Sequence, residues 1–263
     1  MDPSPASGRT RRRLSRTLSR SRFSDYRAVL ERALARGYAV TSLERFVIDG
    51  PQADRVLILR HDVDQAPRSV LPMLAVEREL GLPATWYFRW RTAQPAIVRA
   101  VRDAGHEVGL HYETLTRLAL TRGAPDGDAE AAATLAACRD VLRAEIRAFD
   151  ERFGPTRSIA AHGDTRMPQL RNGDLLADQD PRGFGIEFDA NYGIRRHDLA
   201  CWLTDRSAAE GQWKDGIDPL HLIAEGASPI LCLTHPNNWV SGARLWVARA
   251  AHRARGSGDR PPL

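Results

Sequence analysis

A chain of 263 residues with 43% hydrophobic residues can bury a sizeable core, and its length is ordinary for one α/β barrel but long for one sandwich. The formal charge of +5 is localised: residues 1–22 hold seven Arg and one Asp, a local +6, so the rest of the chain carries −1. Arginine counts therefore argue little for nucleic-acid binding, the more so because Lys214 is the only lysine, a bias that resembles GC-rich coding.

Residues 1–22, rich in Arg, Ser and Pro, predict a flexible arm. The Arg11-Arg12-Arg13 run lacks the apolar stretch and cleavage-type site of an export signal. No window approaches the roughly 18 apolar residues of a membrane span. Three cysteines, Cys138, Cys201 and Cys232, form no C-x-x-C pair, and Cys232 sits in an apolar run as a small hydrophobe. Together these predict a reducing, cytoplasmic setting.

Order is expected to begin with a helix N-capped by Ser24, with Tyr26, Val29, Leu30, Ala33 and Leu34 at helical spacing and Gly37 as the stop. Val56–Leu59 reads as a buried strand and Pro67–Leu80 as a helix closed by Gly81. Ala84–Arg89 reads as an aromatic-rich strand, Gln94–Ala104 as a helix stopped by Gly105, and the next strand runs to His111. An Ala-rich helix over Asp126–Asp150 leads through Phe153-Gly154-Pro155 to a strand at Ser158. Residues 164–220 read as elaborated loops with short strands near Gly185–Phe188 and Leu199–Leu203. Strand Ile230–Thr234, a Pro236–Trp239 loop and a helix over Ala243–Arg253 close the pattern, with residues 256–263 as a disordered tail. Repeated β-loop-α units of this size imply one parallel sheet, and a barrel would bring all strand ends to one rim.

The chemistry-bearing residues fall at those ends. Val56–Leu59 runs into Arg60-His61-Asp62-Val63-Asp64, Glu107–Leu110 into His111, Ser158–Ala161 into His162, Gly185–Phe188 into Asp189, and Pro229–Thr234 into His235. Asp is depleted in strands and costly to bury unpaired, so two carboxylates two residues apart suggest a metal, a base, or both. The competing reading makes one Asp a helix cap and pairs the other with Arg60 or Arg68.

Over residues 24–254 the chain resembles the polysaccharide deacetylases (the NodB-homology fold, carbohydrate esterase family 4). Asp62-Val63-Asp64 resembles that family's D-x-D motif, Gly105–His111 its second motif, and Leu233-Thr234-His235 its late L-x-H motif. The flavour of Arg-His-Asp-Val-Asp, Leu-His-Tyr-Glu and Thr-His-Pro-x-x-Trp is closest to a divergent branch associated with surface-glycan gene clusters. The resemblance implies a single-domain, distorted (β/α)7 barrel over residues 23–255. It also implies Asp62 as general base, Asp64 and His111 as ligands of one divalent ion, and His235 as general acid.

The chain departs from the family where a third ligand should stand, because the position four residues after His111 is Leu115. His162 is the chosen substitute and Glu113 the alternative, since imidazole suits zinc and a neighbouring strand can converge on the same point. His162 could instead donate to substrate. Arg89, Asp189, Arg195 and Trp239 are candidate substrate contacts, Trp239 as a stacking platform for a sugar face; Asn191 and Trp213 belong with them, Trp213 otherwise being a loop anchor. His106 reads as structural, and His197, His221 and His252 as surface residues.

The function implied is zinc-dependent removal of an N-acetyl or N-formyl group from an amino sugar or glycan precursor. The rival is a catalytically lapsed barrel that binds a glycan or a protein, motivated by Leu115. The sequence carries no recognition motif for nucleic acid and gives no oligomeric state.

Overall fold

The structure, a computed structural model, describes residues 21–122, 128–164, 170–194, 198–205, 213–241 and 243. The arm up to residue 20, Arg195, His197, His252, the tail, and the helix expected over 243–253 beyond its first residue lie outside the described residues.

Among the described residues eight strands form one sheet, and every pairing between them is parallel. They are β1 (Ala39–Ser42), β2 (Val56–Val63), β3 (Thr85–Phe88), β4 (Glu107–Tyr112), β5 (Ser158–Ala161), β6 (Phe188–Asp189), β7 (Cys201–Thr204) and β8 (Ile230–Thr234). The order is β6-β5-β4-β3-β2-β8-β7, with β1 lying beside the first half of β2 and β3 beside its second half. The helices are α1 (Phe23–Ala35), α2 (Leu43–Asp49), α3 (Val70–Leu80), α4 (Pro95–Asp103), α5 (Thr114–Arg122), α6 (Asp128–Phe153) and α7 (Pro219–Ala224). This is the α/β, single-domain, parallel architecture expected. Among the described residues β6 and β7 do not pair, so the barrel is a curled half-barrel open on that side.

The curl is visible in contacts that skip strands. Arg60 on β2 donates to the carbonyl of Ala190, just past β6, and Tyr87 on β3 shares a hydrogen bond with Ser158 on β5. Tyr87 reaches Ser158 only because Gly109 lies between them: a Cβ there would stand 2.2 Å from the Ser158 carbonyl and 2.7 Å from the Tyr87 ring.

Alternation along each strand divides the core in two. Outward residues such as Leu57, Leu59, Trp86, Phe88, Val108 and Leu110 pack under the helices, whereas Ile58, Tyr87, Ala160, Phe188 and Leu231 fill the concave face. Every residue of β2 is buried, as a parallel strand covered on both faces requires. In the helices, Tyr26, Val29, Leu30 and Ala33 give α1 its buried stripe, and Gly81, at φ +68°, closes α3 where a left-handed residue is needed.

Several boundaries differ from expectation. β2 runs on through Val63, so Asp62 lies within the strand, and β6 is displaced to Phe188–Asp189. Helix α1 begins at Phe23, which puts Ser24 inside it; its cap residue is Arg22, with no side-chain capping bond. Arg22, the last residue of the expected arm, is tied in: its N–H donates to the Trp239 carbonyl and its guanidinium lies 4.9 Å from the Trp239 ring centroid. No helix among the described residues is long and apolar enough to cross a membrane.

Candidate metal and proton-transfer site

Parallel pairing sends the C-terminal ends of β2, β3, β4, β5, β7 and β8 to one rim, and six side chains meet there. Asp64 follows β2, Arg89 follows β3, His111 lies in β4, His162 follows β5, Asp205 follows β7 and His235 follows β8.

Asp64, His111 and His162 each present a ligand atom within 4.8 Å of the others. Asp64 Oδ1 stands 3.3 Å from His111 Nε2 and 3.5 Å from His162 Nε2. Donors bonded to a tetrahedral zinc at about 2.0–2.1 Å stand roughly 3.3 Å apart, so these separations suit one ion. The hydrogen bonding points the same way. His111 Nδ1 lies 2.9 Å from the Ala160 carbonyl, which places a proton on Nδ1 and turns Nε2 toward the carboxylates of Asp64 and, at 3.6 Å, Asp62. Two carboxylates facing this nitrogen call for positive charge beside them, a proton on Nε2 or a bound cation, and Asp64 Oδ1 is buried without a hydrogen-bond partner. One carboxylate and two imidazoles are a donor set that could hold a divalent metal ion.

The two carboxylates of Asp62-Val63-Asp64 are held differently. Asp62 is buried and receives both Arg60 Nε and Nη2, each at 2.9 Å. Burial opposes its ionisation, but Arg60, His111 and His235 outweigh burial and hold it below the usual carboxylate range. The pairing with Arg60 weighed from sequence is therefore present, and it leaves Asp62 beside His111. Asp64 caps no helix. Burial likewise opposes its charge, and His111, His235 and His162 bring it well below normal. The loop that carries it turns through Ala66 in the left-handed region, at φ +47°.

His235 is tuned in the opposite sense. Its Nδ1 lies 2.7 Å from Asp205 Oδ1, its backbone N–H donates to Asp205 Oδ2, and its Nε2 faces Asp64 Oδ2 at 3.8 Å. Burial alone would lower its pKa; Asp205 foremost, then Asp64 and Asp62, raise it to about 9. His162 goes the other way, to about 3, because burial and the neighbouring His111 and arginines disfavour its cation. The rim thus holds an ionised Asp62, a neutral His162 and a protonated His235 at neutral pH.

The remaining candidates are placed otherwise than expected. Trp239 is 1% exposed; its Nε1–H donates to Asp205 and its ring meets Tyr26 and Trp213 edge-on, so it supports Asp205 and presents no face to a sugar. Trp213 is the loop anchor of the same cluster. Asp189 is also 1% exposed, accepting from Tyr112 Oη and from the Asn191 N–H, with burial pushing it up to about 6; it is a structural carboxylate, not a substrate contact. Arg89 lies at the rim but is buried: it is 3% exposed, paired with Glu113, and its Nη1 lies 3.1 Å from His162 Nε2. Glu113, the alternative ligand, is committed to that pair. Arg195 lies outside the described residues.

His106 is structural, as expected: it accepts the Ala84 N–H beneath Trp86. His221 is exposed on α7. Sequence reasoning missed Asp205 and Asn172, whose side chain donates to the His162 carbonyl and accepts from the Thr116 N–H. Asp205 carried a signal, since it too follows a short apolar strand. Asn172 carried none.

No family model and no curated protein matches the chain. Among solved structures it is similar to a family 4 carbohydrate esterase from Bacillus anthracis, at 13% identity over 88% of this chain and 86% of that one, with a TM-score of 0.38. A family 4 carbohydrate esterase from Streptomyces lividans, in complex with acetate, matches at 16% identity over 74% and 86%, with a TM-score of 0.39. A CE4 family pseudoenzyme from Bacillus anthracis matches at 12% identity over 78% of this chain, with a TM-score of 0.39, and the match spans 62% of its length.

Proposed function

We propose that this chain is a cytoplasmic, zinc-dependent hydrolase that removes an N-acyl group, acetyl or formyl, from an amino sugar or glycan precursor. The observation that carries the reading is the meeting of three metal-type donors with two proton-transfer groups held in opposite charge states: Asp62 ionised against Arg60, and His235 protonated against Asp205. When bound, a divalent ion supplies Lewis-acid polarisation of the amide carbonyl and of the attacking water. Asp62, which pairs with Arg60 and carries no proton at working pH, accepts the proton of that water. His235, a cation up to about pH 9, delivers a proton to the departing amine. Asp205 and Trp239 keep the imidazole aimed and charged, while Arg60 keeps Asp62 ionised in a buried position.

A second reading, a lapsed barrel that binds a glycan or a protein, has one observation in its favour: the Arg89 guanidinium sits against His162 Nε2, where a ligand's lone pair should be free. Metal binding measured on the wild type, Asp64→Ala and His111→Ala tests the centre itself. One zinc per chain in the wild type, and little in either folded variant, is the expected result. Full occupancy in a variant would show that the site is misassigned.

A further inference from the structure

His162 is held by its backbone on both sides, with its N–H donating to the Tyr112 carbonyl and its own carbonyl accepting from Asn172. Its Nε2, 3.5 Å from Asp64 Oδ1, is the atom that faces the centre. The same Nε2 lies 3.1 Å from Arg89 Nη1, and the other ring nitrogen, Nδ1, is buried without a hydrogen-bond partner. An imidazole nitrogen has one lone pair in the ring plane. An N–H of Arg89 and a metal ion cannot both use it.

Arg89 is held in place from the far side. Its Nη2 pairs with Glu113, which follows β4 and whose side chain is 25% exposed, while that of Arg89 is 4% exposed. The guanidinium is permanently charged, so it repels a cation as well as competing for the nitrogen. We propose that Arg89, latched by Glu113, is a built-in competitor for His162 that sets how readily the metal centre fills. The inference rests on the proposed metal centre and concerns its regulation. With Arg89 on His162, the centre offers two donors, Asp64 and His111. With Arg89 drawn off His162, it offers three. The third donor is thereby made conditional in a chain whose D-x-D and His111 segments are fixed within or beside strands.

The test is metal affinity, measured on the full chain with Zn²⁺ against a chromogenic chelator and with Co²⁺ by its visible absorption. Arg89→Met should bind zinc about tenfold or more tightly, the size of effect that groups contacting a metal ligand exert. Its Co²⁺ spectrum should gain intensity as a further nitrogen joins. Replacing His162 by Gln in the Arg89→Met background should erase the gain, which a merely structural role of Arg89 would not predict. Arg89→Gln, which keeps a polar side chain beside Glu113 but removes the charge, should raise affinity in the same direction, so it keeps the test open if Arg89→Met does not fold. Unchanged or weaker affinity in folded Arg89→Met or Arg89→Gln overturns the proposal. Binding that depends on Asp64 and His111 but is indifferent to Arg89 overturns this inference alone. Absence of metal binding in the wild type and in every variant overturns it together with the proposed centre.

Discussion

Asp205→Asn isolates the charge that keeps His235 protonated. The wild-type imidazole has its pKa raised from 6.5 to about 9, and at about 1.36 kcal/mol per pH unit that gap is worth roughly 3 kcal/mol of preference for the cation. The folded pKa lies above the unfolded one, so this stabilisation is complete below about pH 6.5 and is lost as the pH rises through about 9. Asparagine keeps an oxygen for the Trp239 N–H and for the His235 backbone N–H but removes the negative charge, leaving burial to pull His235 back toward 6.5. At pH 8 the protonated fraction should then fall from about nine-tenths to about three-hundredths, a change of about 30-fold. NMR titration of the His235 ring reads this directly, and denaturant unfolding should show the wild type losing stability between pH 6.5 and 9 while the variant does not. If His235 is the general acid, turnover at pH 8 falls in proportion and recovers toward pH 6. A ring that still titrates near 9 in Asp205→Asn would refute the reasoning.

Arg60→Met leaves Asp62 buried without its counter-ion and should cost about 3–5 kcal/mol, measured by denaturant unfolding. The sign of its pH dependence should also reverse: wild-type Asp62, held low, gives stability above about pH 4 that is lost on acidification, whereas the variant should gain stability as the pH falls. Gly109→Ala forces a Cβ against the Ser158 carbonyl and the Tyr87 ring and should cost about 1–3 kcal/mol, with near-ultraviolet circular dichroism reporting the displaced tyrosine. A Gly109→Ala protein as stable as wild type would show that β4 can shift away from Tyr87 at little cost.

The sheet was readable because its strands are short apolar runs bounded by Gly and Pro, and because each ends in a polar residue that a buried strand would otherwise exclude. Asp62, Asp64, His111, His162 and His235 all carried that mark, and all five converge on the rim. Trp239 and Asp189 carried a similar mark and turn out to be buried supports: strand-end position does not distinguish a side chain that faces the concave side from one that folds back under a helix. Trp239 lies one turn past β8, where its indole reaches Tyr26 of α1, a contact spanning most of the chain. The short pieces β1, α2 and α5 were not anticipated. Ala39–Ser42 has only four residues, and its place beside β2 is set by backbone pairing and not by an alternating pattern. Arg89 was recognised as a rim cation, but its partners come from two other strand ends, and such a convergence leaves no trace in local spacing.

Hydrolysis of a panel of N-acetyl and N-formyl amino sugars by the zinc-loaded chain, followed as released acetate or formate before and after chelation, tests the central claim most directly. The account predicts turnover that disappears on removal of zinc, returns on its re-addition, and is lost in Asp62→Asn although that variant still binds the metal. A wild-type protein that holds one zinc at Asp64, His111 and His162 yet releases no acid from any of these compounds would contradict it and leave the binding-module reading in its place.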